Sequence, residues 1–171
     1  MSKAAHALLS RIVIGWSLVL GTPAVFAAPS DQDWKEFLVP DFGTRVEYPS
    51  GIFSVSQGKP EVGTGERLST ADNRASLTIY ARTNDAGQTP ASYLRQNLRM
   101  SESIVQYRRV TPSFFAISAE REGKIYYSRC NFSELRGGTI HCFDLVYPQS
   151  EKRAWDAIVT RISLLLRPLR G

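Results

Sequence analysis

The two cysteines are the residues whose spacing most directly suggests chemistry. Cys130 and Cys142 are the only cysteines among 171 residues, and a turn-forming segment at 134–138 lies between them. If the chain folds back symmetrically about Arg136, the two cysteines face each other on antiparallel strands, about 5 Å apart. This predicts a structural disulfide worth about 2–3 kcal/mol, with free or redox-active thiols as the alternative.

His141, between the cysteines, raises the question of a metal site. Successive residues of a strand point to opposite faces, so His141 and Cys142 cannot easily share one metal ion. The other histidine, His6, lies in the leader described below, which leaves no second imidazole for a tetrahedral site. The same alternation separates His141 from Ser128 and Asp144, so no Ser-His-Asp triad is expected. We predict no metal and no catalytic residue.

A polar cluster near the tip of this hairpin is the candidate binding site. In the same register Arg129 faces Phe143, and Asn131 faces His141. Tyr127 lies on this face as well, because residues two apart on a strand share a face. We predict that Tyr127, Arg129, Asn131 and His141 contact a ligand. The alternative interpretation is a rim in which these groups only hydrogen-bond to one another.

No other motif specifies a reaction or a cofactor. The glycine pair at 63–65 lacks the third glycine and the following helix of a nucleotide-binding loop. Ser56 and Lys59 match the Ser-x-x-Lys pattern of penicillin-binding proteins, but they precede Pro60 at a strand end and have no Lys-Thr-Gly companion. No cofactor is therefore predicted.

Short strand-like runs separated by turn residues make up most of the chain, which is typical of antiparallel sheets. Strands are predicted at 44–48, 52–56, 66–70, 75–82, 104–110, 114–120, 124–132 and 139–147. A first helix begins at Thr89 and Pro90, an N-cap and N1 pair. A last helix at about 150–166 carries an apolar stripe.

Both faces of the predicted 124–147 hairpin carry large apolar side chains. One face has Tyr126 and Phe132, and the other has Ile125 and Leu145. A sheet with one solvated face would alternate cleanly between apolar and polar residues, so this sheet should be covered on both sides. The expected fold class is α+β, an antiparallel β-sheet flanked by helices in an α/β/α sandwich.

The first 27 residues have the pattern of a secretory signal peptide: a short basic region, the apolar run 12–20, and small residues before Ala28. The apolar run is roughly half the ~20 residues that a membrane anchor needs. We predict cleavage after Ala27, a lead-in segment at 28–42, a single domain at 43–170, and a periplasmic or secreted location.

Removal of the leader takes away Lys3 and Arg11, which lowers the formal charge from +5 to +3. The remaining arginines are scattered, and Arg108 with Arg109 is the longest basic pair. Because nucleic-acid binding concentrates basic residues on one stripe, no nucleic-acid partner is expected. No stable membrane anchor is expected after cleavage, and the oligomeric state is left open.

Several stretches resemble small exported proteins of unknown function from proteobacteria. These stretches are 47–49 (EYP), 51–53 (GIF), 77–80 (LTIY), 89–94 (TPASYL), 124–130 (KIYYSRC), 147–148 (YP) and 155–159 (WDAIV). The order of elements is also similar to the Mog1/PsbP-like architecture, which implies an antiparallel sheet between helices and a group of binding and assembly factors. The resemblance carries no functional residue, because fold analogy does not identify a site.

The function expected from the sequence is therefore a non-catalytic binding or assembly module of the periplasm, with an unidentified protein or small molecule as its partner. The alternative is an envelope-associated hydrolase that uses carboxylates, although the sequence does not pair them. Asp31 with Asp33 and Glu120 with Glu122 are close in the chain, but both pairs are better interpreted as solvated charge.

Overall fold

The computed structural model describes residues 33–98, 101–133 and 137–168, and within them the chain forms ten strands and two α-helices. The strands are β1 (Trp34–Val39), β2 (Thr44–Pro49), β3 (Val55–Ser56), β4 (Thr64–Ser69), β5 (Ser76–Thr83), β6 (Val105–Val110), β7 (Phe114–Arg121), β8 (Lys124–Phe132), β9 (Thr139–Pro148) and β10 (Arg167–Pro168). The helices are α1 (Pro90–Asn97) and α2 (Lys152–Leu165).

The strands form two antiparallel sheets. The larger has seven strands in the order β3-β4-β5-β9-β8-β7-β6, and the smaller has the order β1-β2-β10. Most neighbours in the large sheet are joined by hairpins, but β5 pairs with β9, so Tyr80 lies opposite Cys142. β5 and β9 are far apart in the sequence. Their pairing places the hairpins formed by β3, β4 and β5 beside the β8–β9 hairpin that carries the cysteines.

Each face of the large sheet has its own apolar core. Helix α1 covers one face, where Tyr93 and Leu94 pack against Phe115 and Phe132. Helix α2 and the small sheet cover the other face, with Ile162 among the buried residues. The α+β class and the covering of the sheet on both sides are confirmed.

Local sequence signals explain both helices. Thr89 accepts a hydrogen bond from the backbone of Ser92, whose hydroxyl accepts one from the Thr89 amide, and Pro90 occupies the first helical turn. In α2, Trp155 and Ile158 belong to a buried stripe at helical spacing. No helix in the described part of the chain is long and apolar enough to cross a membrane.

Two predicted segments differ from the structure. Residues 34–39, expected in a partly ordered lead-in, form β1, which pairs along its whole length with β2. This segment lacks the strict apolar–polar alternation that predicts a strand, because two of its apolar residues, Phe37 and Leu38, are consecutive. The strand predicted at 52–56 shrinks to β3, because the amides of Ile52 and Phe53 both donate to the Pro49 carbonyl in a turn. The predicted leader at 1–27 lies outside the described residues.

Candidate functional site

The cysteine hairpin has the register that the sequence predicts. Cys130 lies opposite Cys142, and Asn131 lies opposite His141. The two cysteines form a disulfide with their Cα atoms 4.2 Å apart. Both are completely buried beneath α1, in the cluster that contains Phe115. Buried in this way, the disulfide links β8 to β9 within the core. Residues 134–136 of the predicted turn at 134–138 lie outside the described residues.

Two of the four predicted ligand contacts are engaged in holding the small sheet and the end of α2. His141 Nδ1 lies 2.6 Å from the Thr44 hydroxyl of β2, and burial lowers the pKa of this histidine. Asn131 donates from Nδ2 to the Leu166 carbonyl, 2.9 Å away, just after α2. These contacts connect the large sheet to the elements packed on it.

The other two predicted contacts, Tyr127 and Arg129, lie beside α2 and share one hydroxyl. The Tyr127 hydroxyl is 3.0 Å from Ser163 Oγ, and Arg129 donates to the same oxygen over 3.0 Å. Arg129 Nε also donates to the Asn131 side-chain oxygen, 3.1 Å away. Arg129 is therefore held in one orientation by two acceptors.

A concave region of about 560 Å³ opens between α2 and the last three strands of the large sheet. We call it the Arg/Tyr trough and define it by six lining residues on β6, β7 and β8: Tyr107, Arg109, Ala116, Ser118, Tyr127 and Arg129.

The trough is concave because β7 contributes small side chains between two strands with long ones. Ala116 lies between Arg109 and Arg129 in the ladder. Ser118 lies in the same way between Tyr107 and Tyr127. Since neighbouring strands are about 4.8 Å apart, the paired arginines and tyrosines arise from strands about 10 Å apart. The small side chains of β7 therefore form the floor of the trough, and the long side chains of β6 and β8 form its walls.

The trough carries excess positive charge. The guanidinium carbons of Arg109 and Arg129 lie 5.4 and 4.3 Å from the centroid of the Phe114 ring. Burial lowers the pKa of Arg129, and the neighbouring charge of Arg109 acts in the same direction. The Arg129 guanidinium nonetheless stays charged, because an arginine does not lose its charge in proteins. In the described residues neither has a carboxylate within 4.0 Å, whereas Lys152 at the rim pairs with Asp156.

Sequence reasoning missed Tyr107 and Arg109, although a signal was present. The β6–β7 hairpin folds back symmetrically, with Val110 opposite Phe115. The alternation that placed Arg129 on the α2 face would also have placed Arg109 there, across Ala116. Arg108 and Arg109 were considered only as the longest basic pair of the chain, because the two were not assigned to separate faces.

A buried carboxyl group lies on the opposite face of the sheet. Asp144 pairs with Ser128 in the ladder, and Tyr80 is near enough to affect its titration. Burial raises the pKa of Asp144. His141 points to the other face, as its contact with Thr44 shows, so these residues do not assemble a triad.

No protein-family model matches the chain, and no curated protein matches it. Among solved structures, the chain is similar to the solution structure of the cyanobacterial PsbP protein CyanoP from Synechocystis sp. PCC 6803. The TM-score is 0.55 over 87% of this chain and 98% of that one, at 9% identity. The fold is PsbP-like. At this identity the likeness concerns the fold alone, and the resemblance to a proteobacterial family stays a prediction.

Proposed function

We propose that the protein is an exported, non-catalytic binding or assembly module, and that the Arg/Tyr trough holds an anionic group of its partner. The observation that carries this proposal is the pair Arg109 and Arg129, two guanidinium groups beside one aromatic ring with no carboxylate partner in the described residues.

Such a site suits a carboxylate or a phosphate. Arginine presents several N–H donors in a planar fork, and hydrogen bonds to charged groups are stronger than neutral ones. Arg129 is already oriented by Ser163 and Asn131, so less side-chain freedom is lost when a ligand binds. Tyr107, nearly half exposed, adds an accessible ring and hydroxyl at the open side.

The alternative, a hydrolase of envelope material, would need two carboxyl groups near the reacting bond. Among the residues that line the trough, Asp156 is the one carboxylate, and it pairs with Lys152 over 3.3 Å. Asp144 lies on the other face of the sheet. This placement favours binding over carboxylate-based hydrolysis.

Export is proposed from the predicted leader together with the buried disulfide, because disulfides persist in oxidising compartments. The location would be periplasmic or secreted. Mass spectrometry of protein purified from cell fractions tests this. We expect a chain that begins at Ala28 in the exported fraction; a chain that retains residues 1–27 in the cytosol would contradict it.

The trough is tested by isothermal titration calorimetry with citrate and inorganic pyrophosphate as anionic probes. Arg109→Gln should weaken binding about 10-fold or more, the effect of losing one hydrogen bond to a charged group. Arg108→Gln is the matched control, because Arg108 is next in the chain but pairs with Glu102. We change Arg109 rather than Arg129 because Arg129 also anchors α2.

Equal weakening by the two glutamine variants would mean that the probes respond to overall charge, and would overturn the assignment of the trough. Absence of saturable binding to the unaltered protein would do the same. Circular dichroism of each variant establishes that the comparison is made between folded proteins.

A further inference from the structure

The strand β6 forms one edge of the seven-stranded sheet and borders the Arg/Tyr trough. Among the described residues its strand neighbour is β7 alone. The opposite edge is the two-residue strand β3, whereas β6 has six residues, of which all but Val105 are exposed. The register with β7 shifts between Val105 and Tyr107, and from Tyr107 to Val110 it is regular. The edge therefore presents four consecutive residues of regular strand.

Two residues of this edge direct their backbone polar groups away from the sheet. The Thr111 amide donates to the Phe114 carbonyl over 2.8 Å, which makes these two residues a hydrogen-bonded pair. Antiparallel ladders alternate between hydrogen-bonded and non-hydrogen-bonded pairs. Arg109 therefore bonds to β7, whereas Arg108 and Val110 point their N–H and C=O groups outward. An outward row of this kind is a template for another strand.

The side chains of β6 favour an acidic strand over a second copy of the same strand. A copy paired antiparallel through both outward positions would place two Arg109 side chains opposite each other, and like charges so placed are destabilising. An acidic side chain at that position would instead meet a guanidinium that has no carboxylate within 4.0 Å in the described part of the chain. Arg108, on the other face, already pairs with Glu102.

We propose that β6 accepts an extended acidic segment of a partner protein as an eighth, antiparallel strand of the large sheet. The inference rests on the proposed function, because a glutamate of that segment opposite Arg109 is the anionic group that the trough holds. Directly opposite side chains have Cβ atoms about 5 Å apart, so the carboxylate reaches the guanidinium.

Two exposed side chains of β6 define the rest of the segment. Tyr107 is 47% exposed and lies on the trough face, and Val110 is 39% exposed and lies on the opposite face. An aromatic residue opposite Tyr107 and an aliphatic one opposite Val110 give favourable cross-strand pairs. In strand addition, backbone hydrogen bonds supply affinity and alternate side chains supply specificity.

The capped peptide acetyl-Thr-Val-Glu-Val-Tyr-Thr-amide is the probe. In an antiparallel register its glutamate faces Arg109 and its tyrosine faces Tyr107. Calorimetry should show saturable binding that a lysine in place of the glutamate weakens about 10-fold or more. N-methylation of either valine, whose amide faces β6, should weaken binding to a similar extent. N-methylation of the glutamate, whose amide faces away, is the matched control and should leave binding unchanged.

Val110→Pro tests the same hydrogen bonds from the side of the protein. It removes an outward N–H and takes no hydrogen bond from β7, and proline is tolerated on an edge strand. Peptide binding should weaken about 10-fold, and citrate binding to the trough should be unchanged. Val110→Thr is the matched control and should bind the peptide as the unaltered protein does. If Val110→Pro lowers the folded fraction, the N-methylated peptides test the bonds with the unaltered protein.

Amide hydrogen exchange followed by NMR locates the added strand. The amides of Arg108 and Val110 should exchange rapidly in the free protein and slowly with the peptide bound, whereas the amide of Arg109 should be protected in both states. Slow exchange of the two outward amides in the free protein would overturn the proposal. A dependence of that protection on protein concentration would assign the edge to a second copy, and its independence would assign the edge to another segment of this chain.

The failure of strand addition is distinguishable from the failure of the trough. Citrate binding without peptide binding would overturn strand addition and leave the trough in place. Peptide binding that leaves Arg108 and Val110 unprotected would do the same, as would equal binding of all the N-methylated peptides. Absence of both citrate and peptide binding would overturn the proposed function as well.

Discussion

Reduction of the Cys130–Cys142 disulfide should lower the free energy of unfolding by about 3 kcal/mol. The two cysteines are separated by 12 positions, and for a loop of that length the chain-entropy relation gives about 2.8 kcal/mol at 25 °C. The loss arises in the unfolded state, which becomes freer when the link is broken. Residual hairpin structure in the unfolded chain would reduce the effect.

Urea unfolding followed by tryptophan fluorescence measures this change. The protein is reduced in denaturant, because both sulfurs are buried in the folded state, and it is then refolded with reductant present. The midpoint should fall, and the m-value should rise as the unfolded chain exposes more surface. The control is the double variant Cys130→Ala with Cys142→Ala, whose stability should not depend on reductant.

Three results would contradict this prediction. A difference below about 1 kcal/mol between oxidised and reduced protein would mean that the link does not restrict the unfolded chain as the loop-entropy relation requires. An equal response of the double variant to reductant would show that reductant acts elsewhere. Two thiols that react with an alkylating agent in the unfolded, unreduced protein would contradict the disulfide itself.

Three further predictions concern other features of the described chain. Burial raises the pKa of Asp144 above its usual value of 3.8, so the folded protein binds this proton more tightly than the unfolded chain does. The stability of the protein relative to Asp144→Asn should therefore be greatest below pH 3.8 and should fall as pH rises through the folded pKa; a pH-independent difference in urea unfolding would contradict this. Ser163→Ala removes the oxygen shared by a tyrosine and an arginine, which should cost about 1–3 kcal/mol by the same assay, and an unchanged midpoint would contradict a structural role for these contacts. Gly65→Ala should lower the melting temperature more than Gly58→Ala. Both glycines have positive φ, but a Cβ at Gly65 would overlap the Ile79 carbonyl oxygen, whereas nothing lies within 4 Å of a Cβ at Gly58. Equal shifts of the melting temperature in calorimetry would contradict the steric argument.

The candidate site was predictable in part. Tyr127 and Arg129 were identified because the two-residue period of a strand places them on one face. Their partner Ser163 was not, since it lies on α2, and the angle at which α2 crosses the sheet does not follow from local pattern. His141 was placed correctly opposite Asn131, but its contact with Thr44 depends on the small sheet, which the sequence did not reveal.

The fold shows the same division. The strand and helix positions, the start of α1 at Pro90, and the β8–β9 register follow from turn residues, capping residues and alternation. The strand β1 was missed because Trp34, Phe37 and Leu38 do not alternate. Its pairing with β2 is nonetheless regular throughout. The formation of β1 therefore depends more on its partner strand than on its own local pattern.

The sequence by itself determined the α+β class, the disulfide hairpin and the expectation of an exported protein, because short-range periodicity and turn chemistry act within a few residues. Only the tertiary structure decided that β1, β2 and β10 form a second sheet, and that α2 lies beside β6, β7 and β8 so that the Arg/Tyr trough opens between them. Both features depend on which distant elements pack together. Packing partners are selected by the shapes and volumes of whole faces, and that information is not present in any local stretch of the chain.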